Sequence, residues 1–259
     1  STATLTAWYK ADSLSLNDGD GVGSWTDSSG NGHTVAQLTA GRQPTFETNE
    51  LNSLPVLRFD GSDIVSDGDI AALDVGTGDI WMAAVFKSTD TSAEQIVFEK
   101  DPQRFALVVA ADGDLQFRAG GPGASNAAEQ NNGNWSRTAF VIATGARVSG
   151  TLNGFVNGTA ANTTGVTSTQ SIDNSNVFDI GGRAAAATGK LSGDIAEILV
   201  GGATLTDINR QLIEGYLAHR YGLSGNLPSD HPYKNFAPTI RVRPLVGDGP
   251  QLFGNGLIS

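Results

Sequence analysis

The chain has 259 residues, 33 glycines, no cysteine and a formal net charge of -11. Its acidity repels phosphate backbones and anionic membrane surfaces, which excludes nucleic acid as an expected partner, and the missing cysteine removes disulfides, thiolate catalysis and zinc-thiolate sites. Abundant glycine with only 17% charged residues points to short strands joined by tight turns, and no run approaches the ~18 apolar residues of a membrane span, so an all-β chain without membrane insertion is expected.

In chain order, the first feature is SWTDSSGNGH, Ser24 to His33. Asp27 to Gly32 places oxygen donors at alternate positions and glycine at the sixth, as in the first half of an EF-hand loop, but the twelfth position is Leu38 in place of the bidentate acid. Two readings stay open. One is an Asx turn, with Asp27 capping backbone N–H groups and Gly30 and Gly32 in left-handed conformations. The other is a structural calcium held by Asp27 and Asn31 together with a second acidic segment, Asp60 or Glu197.

Short β-runs are predicted at 56–59, 80–87, 95–99, 105–111, 115–118, 138–143, 148–156 and 177–180. Asp112-Gly113 and Asn157-Gly158 supply residues that tolerate positive φ and read as hairpin turns. The stretch 120–134 has almost no apolar residue and is expected to be an exposed loop; 181–190 reads as a connection. A sugar site needs an aromatic platform flanked by Asn, Asp and Arg, because C–H faces stack on rings and hydroxyls need fixed partners. Trp8, Trp25, Trp81 and Trp135 read as packing residues, which leaves Asn131, Asn132, Asn134, Arg137 and Arg183 as candidate ligand contacts.

Catalytic constellations are not found. Glycoside hydrolysis needs two carboxylates flanking one bond. On regular strands, Glu94 and Glu99 face opposite sides, as do Asp194 and Glu197. His33, His219 and His231 have no nucleophile elbow to serve. A non-enzymatic protein with no required cofactor is therefore expected.

Residues 206–222 form the one convincing helix, with Thr206 as N-cap, Asp207 in the first turn and Gly222 as its stop. Its periodicity puts Ile208, Leu212, Ile213, Tyr216 and Leu217 on one face and Asp207, Gln211, Glu214 and Ala218 opposite. The proline-rich segment 224–259 is too apolar for a solvated tail and carries Ile240, Val242, Leu245, Leu252 and Phe253 as candidate assembly residues. It either wraps onto its own domain or adds to a neighbouring subunit, with 239–246 as an extended strand.

Three blocks, LTAWYKADSLSL…VGSWTDSSGNGHTV, PTFETNELNSLPVLRFDGSD and GKLSGDIAEILVGGATLTDINRQLIEGYLAHRYGL, resemble the laminin-G-like, concanavalin-A-like domains of bacterial surface and phage structural proteins. The resemblance covers residues 5–223 and implies an antiparallel jelly-roll β-sandwich with one covering helix, followed by an extended arm over 224–259. It further implies binding in place of catalysis: a structural or adhesive module of a virion or cell surface that docks through its C-terminal arm on protein subunits of a homo-oligomer or scaffold, with a secreted glycan-binding lectin as the alternative and a glycoside-active enzyme on the same fold as the third reading. Relatives of this kind often carry a structural calcium at the sandwich rim.

Overall fold

The computed structural model describes residues 2–89, 93–100, 104–120, 127–131, 133–184, 188–243 and 251–255. In chain order the strands are β1 (Thr2–Thr4), β2 (Ala7–Lys10), β3 (Ser24–Trp25), β4 (Val35–Ala36), β5 (Thr45–Leu51), β6 (Leu54–Asp60), β7 (Val65–Ser66), β8 (Ile80–Ser88), β9 (Gln95–Lys100), β10 (Phe105–Val109), β11 (Leu115–Ala119), β12 (Ala127–Gln130), β13 (Val141–Val148), β14 (Thr151–Val156), β15 (Thr159–Ala160), β16 (Val166–Thr167), β17 (Phe178–Ile180), β18 (Ser192–Gly201), β19 (Thr239–Arg243) and β20 (Gln251–Asn255), with one α-helix, α1 (Asp207–Arg220). The sandwich pairs an eight-stranded sheet, β12-β11-β10-β9-β17-β7-β4-β3, with a nine-stranded sheet, β15-β14-β13-β8-β18-β6-β5, to which β16 and β2 add through β14 and β18. Among the described residues, the expected jelly-roll β-sandwich with a single covering helix is what forms.

Between the sheets, inward residues of both, including Trp25, Phe59, Phe86, Phe98, Phe117, Phe178 and Ile198, make one continuous core. Each such side chain contributes ~1.5–3 kcal/mol by leaving water. Packing is close enough to dictate backbone chemistry: a Cβ at Gly154 would lie 2.3 Å from Phe117 Cδ2, and one at Gly145, its register partner, 2.8 Å from Phe117 Cδ1. Both positions need glycine because the Phe117 ring fills the space between the sheets.

Local turn chemistry places several strand ends. Asn157-Gly158 is a two-residue turn with both φ positive, joining β14 to β15. In the β10–β11 turn, by contrast, only Gly113 takes a positive φ, because Ala110 and Asp114 pair through Ala110 N–H to Asp114 O and lengthen the loop. The predicted runs 138–143 and 148–156 are corrected: Ser149-Gly150 forms a second turn of two positive-φ residues, so the strands are β13 and β14 on either side of it. The supposed loop 120–134 contains β12, which pairs with β11 and buries Ala128 in the core.

Two β-bulges change which face side chains occupy. In β9, Leu107 pairs with Phe98 and Val108 with Ile96, so Val97 is extra. In β18, Ile195 pairs with Phe86 and Glu197 with Val85, so Ala196 is extra. An extra residue resets the period-two alternation.

The helix caps as its sequence implies: Thr206 accepts from Asn209 N–H, and beyond the C-terminus Leu223 N–H reaches Ala218 O while Gly222 takes φ 68°. It covers the outer face of the nine-stranded sheet, where Trp8, Trp81, Val85, Leu199, Ile213 and Leu217 form a second apolar cluster. Its buried face is displaced from the expected one. Ile208 is 65% exposed, whereas Arg210, Glu214 and Ala218 are buried. Glu214 survives burial because both carboxylate oxygens are partnered, by Arg210 Nη1 at 2.9 and 2.7 Å, Thr144 Oγ1 at 3.0 Å and His231 Nε2 at 3.2 Å.

The described residues after Leu223, 224–243 and 251–255, fold onto their own domain. Leu227 and Ile240 pack in the cluster beneath α1, His231 bonds to Glu214, and Tyr233 occupies the space left by Gly215. Strands β19 and β20, which hold Ile240 and Val242, and Leu252 and Phe253, respectively, form a small sheet with β1 in the order β1-β20-β19. Leu245 lies outside the described residues.

Candidate functional site

Asp27 is the hub of a tight turn. Its Oδ1 accepts from Trp8 N–H and Ser29 N–H at 2.9 and 2.7 Å, and its Oδ2 from Ser29 Oγ, Gly32 N–H and His33 N–H at 2.7, 3.1 and 3.1 Å. Gly30 and Gly32 take φ of 93° and 85°. Asn31 donates Nδ2 to the carbonyls of Leu5 and Thr6. The loop is thereby tied to the chain's first strands, using nearly all the acceptor capacity of the carboxylate. Asp60 lies elsewhere, bonded to Ser62 N–H and Oγ at 2.8 and 2.7 Å.

Glu197 is committed too. The β18 bulge turns it outward beneath α1, the same side as Asp194 and contrary to strand parity. There it accepts from Trp8 Nε1 at 2.6 Å and Tyr221 OH at 2.8 Å, with Arg220 Nε at 3.3 Å and Tyr216 OH at 3.5 Å. Burial pushes its pKa up, opposed by Tyr221, Arg220 and Trp8. This network is what the YLAHRYGL block encodes, since Tyr216, Arg220 and Tyr221 all close on the one acid. The four calcium candidates are therefore not gathered at one point, and the described residues contain no group of three His, Asp or Glu side chains arranged to hold an ion.

A polar row crosses the outer face of the eight-stranded sheet. Asp179 on β17 is the register partner of Glu99 on β9, so the fold sets two carboxylates side by side. The β9 bulge also corrects the parity expected for Glu94 and Glu99, because Arg118, 3.2 Å from Glu94 Oε2, feels both charges. Each acid of the pair is occupied: Glu99 by Arg183 in a two-pronged contact of 2.6 and 2.9 Å, Asp179 by Ser66 Oγ at 2.5 Å and Ala184 N–H at 2.8 Å. Burial raises the pKa of Asp179. Arg183 thus pins the connection that follows β17. Asn131 and Asn134 meet at Asn162 Oδ1 on an exposed rim, Arg137 is buried, and Asn132 lies outside the described residues.

The arrangement of aromatic, Asn, Asp and Arg sought among the tryptophans occurs elsewhere. A cleft of about 330 Å³ opens between the β13–β14 hairpin and the start of α1. Its floor is Ala146, Val148, Leu205 and Phe155, and its walls are Asn153, Thr204, Thr206, Asp207 and Arg210. Register explains the floor: Ala146 pairs with Asn153 and Thr144 with Phe155, so these side chains share the outer face while Gly145 and Gly154 turn inward. The Arg210 guanidinium lies 3.7 Å from the Phe155 ring centroid and is clamped by Glu214 and by Asp207 Oδ1 at 3.3 Å. Asn153 Oδ1 accepts from Thr164 Oγ1 and Gly165 N–H at 2.9 and 3.0 Å, which orients its amide. Apolar surface beside fixed hydrogen-bonding groups is suited to a sugar ring. In the sequence, the alternation in TLNGFV was the available signal, since it puts Asn153 and Phe155 on one side and Gly154 and Val156 on the other.

Comparison with known proteins agrees with the fold. The family model described as the concanavalin A-like lectin/glucanases superfamily, Laminin_G_3, matches residues 59–207, more than half of the chain. Domain 4 of the extracellular arabinanase AbnA of Geobacillus stearothermophilus, solved with arabinotriose, superposes with TM-score 0.55 at 17% identity, over 81% of this chain and 97% of that one. The binding domain of Paraclostridial mosquitocidal protein 1 gives TM-score 0.61 at 11% identity, over 82% of this chain and 52% of that one. The sialidase of Trypanosoma rangeli in complex with sialic acid gives 0.52 at 12%, over 83% and 33%. The chain thus spans a third of the sialidase and about half of the mosquitocidal chain. No curated protein sequence matches it.

Proposed function

The chain belongs to the concanavalin A-like lectin/glucanase superfamily, and from that premise we propose that it is a non-enzymatic glycan-binding module that serves adhesion at a cell surface or on a virion. The observation that carries this reading is the cleft beside α1, where Phe155 and Val148 offer apolar surface and Asn153, Asp207 and Arg210 stand ready as hydrogen-bonding groups. The arabinotriose complex of the Geobacillus domain supports it as a likeness of fold with a sugar-bound protein. The paired acids Glu99 and Asp179 are spoken for by Arg183, Ser66 and a backbone N–H, which favours a structural role over glycoside hydrolysis.

The assembly reading rests on the far edge of β19, which is unpaired among the described strands and is where a neighbouring subunit would add. The reading needs no cofactor. A glycan array run with calcium and with chelator tests it: bound glycans whose signal falls in Phe155→Ala and Asn153→Ala support the proposal, and a signal that appears only with calcium overturns its independence of a cofactor. An empty array, or release of reducing sugar from the same glycans, overturns it.

A further inference from the structure

We infer that the cleft beside α1 accepts a neutral sugar residue bearing adjacent hydroxyls and rejects acidic saccharides; this rests on the glycan-binding reading above. Among the described residues that line it, Arg210 is the only cation, and its charge is already answered twice. Glu214, its side chain fully buried, takes Nη1 with both oxygens, and Asp207 takes Nε. His231 adds no positive charge. Its Nδ1 accepts from Tyr233 N–H at 3.2 Å, so its proton sits on Nε2, facing Glu214. Counting Arg210 against Asp207 and Glu214, the cleft carries a net charge of about -1, and Asp79, bonded to Thr204 Oγ1 at 2.5 Å, adds another negative group at its edge.

A carboxylate sugar could accept from Arg210 Nη2 only by adding a third negative charge to a guanidinium that Glu214 and Asp207 already answer, so it would stand beside two acids with no cation left to balance it, which is costly. A hydroxyl pair has no such conflict. Arg210 Nη2 has no protein acceptor among the described residues, and the Asn153 amide nitrogen is left over once its oxygen is occupied. These two groups donate. Asp207, with an 84% exposed side chain, has an oxygen that does not touch Arg210 and accepts. A hydroxyl group both donates and accepts, so a vicinal diol can satisfy both kinds of wall group at once, whereas a carboxylate only accepts and leaves Asp207 facing like charge. The volume of about 330 Å³ suits a ligand at the small end of the range for such sites, and the floor of Val148, Leu205 and Phe155 takes its C–H face.

The test is calorimetric titration of the full chain with paired oligosaccharides: arabinotriose, cellotriose and lactose against trigalacturonate and sialyllactose. At least one neutral probe is expected to bind, with its affinity reduced roughly tenfold in Asn153→Ala and in Asp207→Asn, and the acidic probes are expected to bind at least about tenfold more weakly than their neutral counterparts. Tighter binding of an acidic probe, lost in Asn153→Ala, overturns this inference and leaves the glycan-binding reading standing. So does neutral binding that both variants leave unchanged, because it places the ligand elsewhere. Absence of binding by every probe here and by every glycan on the array overturns both.

Discussion

Replacing Glu197 by Ala is expected to remove about 3–5 kcal/mol of stability. The carboxylate is the common acceptor of Trp8 Nε1 at 2.6 Å and Tyr221 OH at 2.8 Å, and it faces the Arg220 guanidinium. Truncation leaves two buried donors without acceptors at ~1–3 kcal/mol each, before any cavity term, and leaves Arg220 with Asp12 as its remaining carboxylate. For a domain of this size, the loss corresponds to a fall in Tm of about 10 °C. Glu197→Gln separates shape from charge. The amide keeps the volume and one acceptor for Trp8, and Tyr221 can turn its O–H to Ala196 O, 3.4 Å away, so ~1–2 kcal/mol is expected.

The pH dependence carries a definite sign. Burial raises the Glu197 pKa above its unfolded value, so its contribution is full below the unfolded pKa and is lost as pH rises through the folded one. The gap between wild type and Glu197→Gln should therefore narrow from acidic to alkaline pH. Urea unfolding followed by tryptophan fluorescence at several pH values measures all three quantities. A loss under about 1 kcal/mol for Glu197→Ala, or an equal loss for Ala and Gln, would show that partner satisfaction at this acid is not what holds α1 and β2 to the sheet.

The Asp63 pKa is pushed up to about 6, chiefly by burial, with the Asp60 carboxylate raising it and the Asp60 N–H, 2.9 Å from Oδ2, opposing. Ionised Asp63 therefore costs stability progressively as pH rises from the unfolded value through about 6, and Asp63→Asn, which retains an acceptor for that N–H, should be ~1–2 kcal/mol more stable than wild type at pH 7 and no more stable near pH 3.5, read by thermal melts. Truncation after Leu223 removes Leu227 and Tyr233 from beneath and beside α1 and takes His231 from Glu214, so the sandwich should still fold but with Tm lowered by several degrees. An unchanged Tm would mean that the segment's docking on its own helix carries no weight.

Much of the architecture could be read directly from the chain. Thr206 caps the helix and Gly222 stops it because those contacts lie within a few residues of one another, and Asn157-Gly158 turns for the same reason. The calcium candidates and the apolar face of the helix were less legible. Whether Asp27 holds a turn depends on Trp8 N–H, and whether Glu214 can be buried depends on Thr144 and His231, none of them local.

By itself, then, the sequence determined the all-β class, the capped helix and the turn residues, through interactions that close over short spans. The tertiary structure alone decided which way the acids point and which of them meet. A bulge at Val97 or Ala196 is a mismatch between two strands and leaves no mark on either one, yet it reverses the faces of Glu99 and Glu197. The pairing of Glu99 with Asp179, and the cleft that Phe155 shares with Arg210, arise from register between segments far apart in the chain, which the global packing of the two sheets selects.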